Sequence, residues 1–166
     1  MEKTSKEMSQ WMQKVAEANE IHYTVEHEQD LDIIRMGFRL DSAISSLDLV
    51  IYAEERGFRS FAFIDNTPGK RKPEVAEFLM RANISDFGHF NLDYDNDRIG
   101  YEFYVPYNVF EEDDDLAIVW NLPVIRFSIF GDGLLKVILG CATPKEAFEE
   151  CMKEEESSDA DGDQKE

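Results

Sequence analysis

The sequence predicts an α+β domain built on one antiparallel sheet, with helices on one face. Three observations lead to this fold class. Residues 47–54 and 58–64 are short runs rich in β-branched and aromatic side chains, as strands prefer. Residues 88–94 and 99–105 alternate around a turn rich in Asn and Asp, which is typical of a β-hairpin. Between these pairs, residues 73–83 have the apolar period of a helix.

The elements before residue 47 are a helix and a strand. Thr4 or Ser5 can cap a first helix that reaches to about Asn19. Its apolar face holds Met8, Trp11, Met12, Val15 and Ala18. Residues 33–40 alternate like a strand and start a group of three strands.

The elements after residue 105 are helical. Residues 123–140 predict a helix, although Gly131 and Gly133 weaken its middle, where a split is the alternative. Thr143 is a credible N-cap for a short last helix over residues 144–152, with Glu146 as its capping-box partner. The predicted order is therefore one helix, three strands, one helix, a two-strand hairpin and two helices. Antiparallel strands with interleaved helices define the α+β class.

Length and composition predict one domain, residues 1–152, followed by a disordered acidic tail, residues 153–166. The tail has no large apolar residue and therefore cannot bury enough surface to offset its ordering entropy. The chain carries 36 acidic and 17 basic residues, a net charge of −19. Such a surface repels phosphates and anionic lipids, so we expect neither nucleic acid nor a membrane as a partner.

Two features predict a cytoplasmic location. Cys141 and Cys151 do not form a CxxC pair, and residues 1–7 lack the apolar core of a signal peptide. Reduced structural thiols are typical of the cytoplasm.

Several strings resemble the YbjN family, which is described as bacterial sensory transduction regulators. They are residues 73–83, 88–93, 99–103 and 137–147, within a resemblance that spans about residues 33–148. That family is similar in fold to type III secretion chaperones, whose domains dimerise and hold partner polypeptides. The resemblance implies a non-enzymatic, protein-binding or regulatory role, and it brings no catalytic residues. The break at residues 131–133 and the acidic tail depart from the family pattern.

No catalytic or metal-binding constellation stands out in the sequence. Asp93, Asp95 and Asp97 match the start of a calcium loop, but Arg98 and Tyr104 stand where Gly and Glu are needed. We therefore expect no enzyme and no cofactor. A metal-assisted hydrolase or transferase with a carboxylate-lined cleft is the alternative, and a mimic of nucleic-acid charge is a third hypothesis.

The first hypothesis is a protein-binding module that also pairs with itself as a homodimer. The candidate partner contacts are Met8, Trp11, Met12, Lys70, Arg71 and Lys72. Met and Trp are favoured at protein interfaces, and three cations at a helix start oppose its dipole, which sometimes marks a contact site. The competing interpretation is that the apolar residues cover the sheet and that the cations lie in a solvated loop.

Overall fold

The computed structural model describes residues 4–84 and 87–162, and within them the chain forms four α-helices and six β-strands. The helices are α1 (Ser5–Ala18), α2 (Lys72–Ala82), α3 (Ile118–Ile138) and α4 (Pro144–Gly162). The strands are β1 (Tyr23–Glu28), β2 (Leu31–Arg39), β3 (Ser46–Ala53), β4 (Gly57–Phe63), β5 (His89–Asp93) and β6 (Arg98–Pro106). This architecture confirms the α+β class.

All six strands form one antiparallel sheet in the order β1-β2-β3-β4-β6-β5. The first four follow one another as a meander, and the β5–β6 hairpin joins them through β6. Four strands precede α2, whereas the sequence predicts three; the strand that the prediction misses is β1. Only Tyr23 and Val25 of β1 pack against the core, and both are half-buried. The strand therefore carries little apolar signal.

One face of the sheet holds the main hydrophobic core. The strand residues of this core all point to that face. They are Ile34, Met36, Leu47, Leu49, Ile51, Ala53, Phe58, Ala62, Phe90, Ile99, Tyr101, Phe103 and Val105. Helix α1 lies against β2 and β3, and Phe127 of α3 packs edge-on to Phe90 with 5.2 Å between ring centroids. The helices thus cover one face, as predicted.

The caps of α1 and α4 are formed as the sequence predicts. The Thr4 hydroxyl accepts the backbone N–H of Glu7, whose side chain accepts the N–H of Thr4. At α4, Glu146 accepts both the backbone N–H and the hydroxyl of Thr143, at 3.0 and 2.8 Å. Helix α4 then continues to Gly162, so ten residues beyond the predicted domain boundary at Met152 are helical. Residues 163–166 of the predicted tail lie outside the described residues.

Helix α3 is continuous, so the helix predicted over residues 123–140 is confirmed as one element and the split at Gly131 and Gly133 does not occur. Each glycine is a contact site where a Cβ would be crowded. A Cβ at Gly133 would lie 2.5 Å from the Cys151 sulfur of α4, and one at Gly131 would lie 3.2 Å from Ile44. These close approaches stabilise the helix in its place, and the packing energy overrides the poor helix propensity of glycine.

The segment Asp113–Ile138, which includes α3, is long and apolar enough to cross a membrane by length and composition alone. In the fold, 44% of its most apolar window is buried. A core helix with apolar residues on several sides meets the same criterion.

Candidate functional site

The face of the sheet opposite the helices is the candidate site, and we call it the open face. In the described part of the chain, the buried hydrophobic residues of the helices belong to the main core, on the other face of the sheet. Neighbouring residues of the open face form rows across the strands. The central row reads Thr24, Arg35, Val50, Phe61, Glu102 and His89, and the next reads Glu26, Ile33, Tyr52, Arg59 and Tyr104.

The open face has an apolar layer of its own. Ile33 and Val50 are only 4% and 9% exposed, yet neither belongs to the main core. Their neighbours across the strands are aromatic, with Tyr52 beside Ile33 and Phe61 beside Val50. Tyr52 meets Phe61 edge-on at 5.7 Å between centroids, and Phe61 is parallel to Phe63 at 6.3 Å. An antiparallel sheet with one solvated face normally alternates apolar and polar residues, and this one does not.

Two aromatic rings of the open face lie on glycines of the neighbouring strand. A Cβ at Gly57 would come within 2.5 Å of the Tyr104 ring, and one at Gly100 within 3.1 Å of the Phe63 ring. The missing side chains let the rings lie flat against the backbone, which covers the glycines and keeps the face shallow.

Four arginines and five carboxylates occupy the strand positions of the open face. They are Arg35, Arg39, Arg59 and Arg98, with Glu26, Glu28, Asp48, Asp93 and Glu102. The strand positions of the open face are therefore nearly neutral, and Glu54 and Asp65 add two carboxylates at its margin, whereas the whole chain carries a net charge of −19.

The best-placed arginines are already paired within the chain. Arg35 donates to Glu26 at 3.1 Å, and Arg59 donates to Glu54 at 2.7 Å and to Glu102 at 3.2 Å. The hydrogen bond to Glu26 raises the pKa of Arg35, and the one to Glu54 raises the pKa of Arg59. These guanidinium groups therefore stay charged, and their charge is matched by carboxylates of the same chain.

A shallow depression of about 480 Å³ lies in the middle of the open face. It is lined by Arg35, Asp48, Val50, Tyr52, Phe61, Phe63, Ile64, Asp65 and Arg98. The guanidinium of Arg98 lies over the Phe63 ring, 4.9 Å from its centroid. Aromatic side chains and arginine are the residue types enriched at the centre of protein interfaces.

The predicted apolar contacts on α1 lie elsewhere. Met8 and Met12 are 1% and 0% exposed and belong to the main core. Trp11 is half-buried against that core, and its indole N–H donates to Asp113 at 2.5 Å. Because Met8 and Met12 cover the sheet, the folded chain does not present them to a partner, and the core interpretation replaces the contact interpretation for both.

The predicted basic cluster does not form one surface. Lys72 donates to the carbonyl of Tyr94 at 2.6 Å and pairs with Asp97 at 2.7 Å, so it joins α2 to the β5–β6 turn. Arg71 pairs with Glu74 at 3.4 Å, and Lys70 is exposed. Two of the three cations thus have structural contacts.

The described residues hold no cluster of three or more His, Cys, Asp or Glu side chains placed to bind a metal. Asp93, the first residue of the calcium-like pattern, instead accepts the backbone N–H groups of Asp95 and Asn96 at 3.1 Å each. The side-chain amide of Asn96 also donates to Asp93, at 2.8 Å. This hydrogen bond, together with those from the backbone, lowers the pKa of Asp93 and stabilises the hairpin turn.

Sequence reasoning missed the open face, although a signal was present. Residues 47–53 and 58–64 are apolar or aromatic at positions of both parities. A strand with apolar residues on both sides needs cover on both sides.

The chain was compared with protein-family models, with curated proteins and with solved structures, and none of the three comparisons finds a match.

Proposed function

We propose that this chain is a non-enzymatic protein-binding or regulatory module, and that the open face is its binding surface. One observation carries the proposal: the half-buried rings of Tyr52, Phe61 and Phe63 lie against one another on a face that no helix of the described chain covers. Burying that apolar face against a partner is favourable. The resemblance to the YbjN family and the expected cytoplasmic location agree with such a role.

The charge of the open face favours a polypeptide partner over a nucleic acid. Aromatic rings and arginines on a sheet can also stack and bind the bases and phosphates of single-stranded RNA. Here Arg35 and Arg59 are neutralised by carboxylates of the same chain, and the remaining surface is strongly acidic. Phosphate binding would therefore work against both local and long-range repulsion.

The test is affinity capture from native lysate with one variant on the open face and one control. Phe61→Glu places a charge at the centre of the open face. Ile125→Glu places the same charge on α3, where Ile125 is 52% exposed. We expect the wild type and Ile125→Glu to retain the same partner, and Phe61→Glu to lose it while keeping its circular dichroism spectrum.

Three outcomes would contradict the proposal. A partner held equally by Phe61→Glu would place binding outside the open face. A partner lost only by a chain that ends at Met152 would assign binding to the acidic extension of α4. Capture of RNA in place of protein would overturn the choice of partner class.

A further inference from the structure

We infer that a second copy of this chain occupies the open face when no other partner is bound, so that two sheets pack face to face. This inference rests on the proposed function, because it assigns a partner to the same surface. Such a dimer also regulates binding, because a partner protein, or client, has to displace the second copy from the open face.

The charge distribution selects this face for self-association. Two chains of net charge −19 repel each other, and most of their surface would bring like charges together. The strand positions of the open face hold four arginines against five carboxylates, so most of the charge there is compensated locally. Two copies can therefore meet there with little electrostatic cost and bury two apolar layers against each other.

The central row of the open face is complementary to itself about one axis. Along that row Arg35, Val50, Phe61 and Glu102 lie on the adjacent strands β2, β3, β4 and β6. A two-fold axis parallel to the strands, between β3 and β4, places Arg35 opposite Glu102 of the second copy. The same rotation places Val50 opposite Phe61. Each contact occurs twice, as two-fold symmetry requires.

The neighbouring row fits the same axis. It places Tyr52 opposite Arg59 of the second copy, an arrangement that suits a cation–π contact. An axis perpendicular to the strands, along the central row, would instead place Arg35 opposite Arg35 and Glu102 opposite Glu102. Like charges in those positions are unfavourable. The axis parallel to the strands avoids both contacts in the central row. It does bring Arg39 opposite Arg98 of the second copy, at the end of the strands where Arg98 is paired with Asp93.

The size of the open face suits a weak, reversible dimer that another partner can displace. Six strands at about 4.8 Å spacing and about seven residues at 3.3 Å rise outline roughly 24 Å by 23 Å. This outline is roughly 550 Å² per copy, below the ~800 Å² that each partner buries in an interface of standard size, and it falls in the range of weak, reversible complexes. Face-to-face sheets also pack with their strands nearly aligned, within about 30°.

The first experiment measures the mass of the free protein by sedimentation equilibrium. We expect a monomer–dimer equilibrium that strengthens when salt rises from about 20 to 200 mM, because screening reduces repulsion between the two acidic chains. Phe61→Glu is expected to be monomeric, whereas Ile125→Glu dimerises like the wild type. A wild-type chain that stays monomeric up to high concentration at both salt levels would overturn the inference.

The second experiment tests the axis by mixing two single variants. Arg35→Glu places Glu opposite Glu102 in its own dimer, and Glu102→Arg places Arg opposite Arg35. Each variant alone is expected to dimerise at least about tenfold more weakly than the wild type. In an equimolar mixture both contacts pair opposite charges, so a heterodimer forms. Two variants that stay monomeric after mixing, each with a native circular dichroism spectrum, would overturn the proposed arrangement.

The inference and the proposed function fail in different ways. A monomeric wild-type chain that still captures a client through Phe61 would refute only the second copy. A dimer that dissociates on Phe61→Glu, while client capture is unchanged, would support the second copy and refute client binding at the open face.

Discussion

The two faces of the sheet use the same six strands but bury their side chains in different ways. On the helix face, Ile34 and Ile51 pair across β2 and β3 with 0% exposure, beneath α1. On the open face, Ile33 and Val50 are also buried, but they lie outside the main core, beside Tyr52 and Phe61. Burial by a covering layer of helices builds a core. Burial by side chains that lie across one another leaves a surface that a partner can still cover.

The largest expected effect is a difference in stability between alanine variants of two residues of β2, one on each face of the sheet. Ile33 and Ile34 are adjacent, are of the same type and point to opposite faces. Ile34→Ala leaves a cavity under helices that cannot collapse, so we expect a loss of about 3 kcal/mol in the free energy of unfolding. Ile33→Ala should cost about 1 kcal/mol, because its neighbours and water can fill the space. Urea unfolding at low protein concentration measures both.

Equal losses for the two alanine variants would break this comparison. They would mean that the open face is packed as tightly as a core in the isolated chain. The low concentration is the control, since self-association through the open face would also stabilise Ile33.

The second prediction compares two glycines of the open face. A Cβ at Gly100 would lie 3.0 Å from the Ala62 carbonyl and 3.1 Å from the Phe63 ring, whereas one at Gly37 meets only Asp48, at 3.8 Å. Gly100→Ala should therefore destabilise by about 1–2 kcal/mol, since the ring must move. Gly37→Ala should be neutral or stabilise by about 0.5 kcal/mol, through the unfolded state. The midpoints of urea unfolding give the sign of each change.

The smallest predicted effect is the pH dependence of the stability that two carboxylates in the helix layer contribute. The backbone N–H of Thr143 donates to Glu146 and lowers the pKa of that carboxyl, and the N–H groups of Glu112 and Glu111 lower the pKa of Asp115. A lowered pKa stabilises the fold above the unfolded values of 4.5 and 3.8, and this stability is lost as pH falls through the folded values.

Unfolding free energies measured from pH 7 to pH 2.5 test this effect with Glu146→Gln as the comparison. The wild type should be slightly more stable near neutral pH, and the two curves should converge in acid. A constant difference across the whole range would show that the cap does not depend on the charge of Glu146.

Much of the fold follows from local sequence patterns, because those patterns act through short-range physics. The capping residues Thr4 and Thr143 and the apolar period of residues 73–83 predict helices at the observed places. Features that depend on contacts between distant parts of the chain do not follow from local patterns. Gly131 and Gly133 look like helix breakers until Ile44 and Cys151 are seen against them.

The candidate site was predicted less well, because the sequence shows which residues are apolar but not what covers them. Met8 and Met12 are suitable interface residues by type, and the fold uses them as core. The pattern of residues 58–64 predicts a strand that includes Phe61 and Phe63, but it does not determine on which side of the sheet the two rings lie. Only the register between β3, β4 and β6 shows that these rings lie on the side away from the helices.

The order of the strands has a consequence for biosynthesis. The partner of β4 on its outer side is β6, which begins at Arg98, and the whole of α2 and β5 separates them in the chain. A nascent chain can therefore complete the β1–β4 meander while β4 still has an unpaired edge. Unpaired strand edges are where aggregation begins. Pairing with β6 covers that edge. A chain that ends within the β5–β6 hairpin should therefore aggregate and not form a smaller soluble domain.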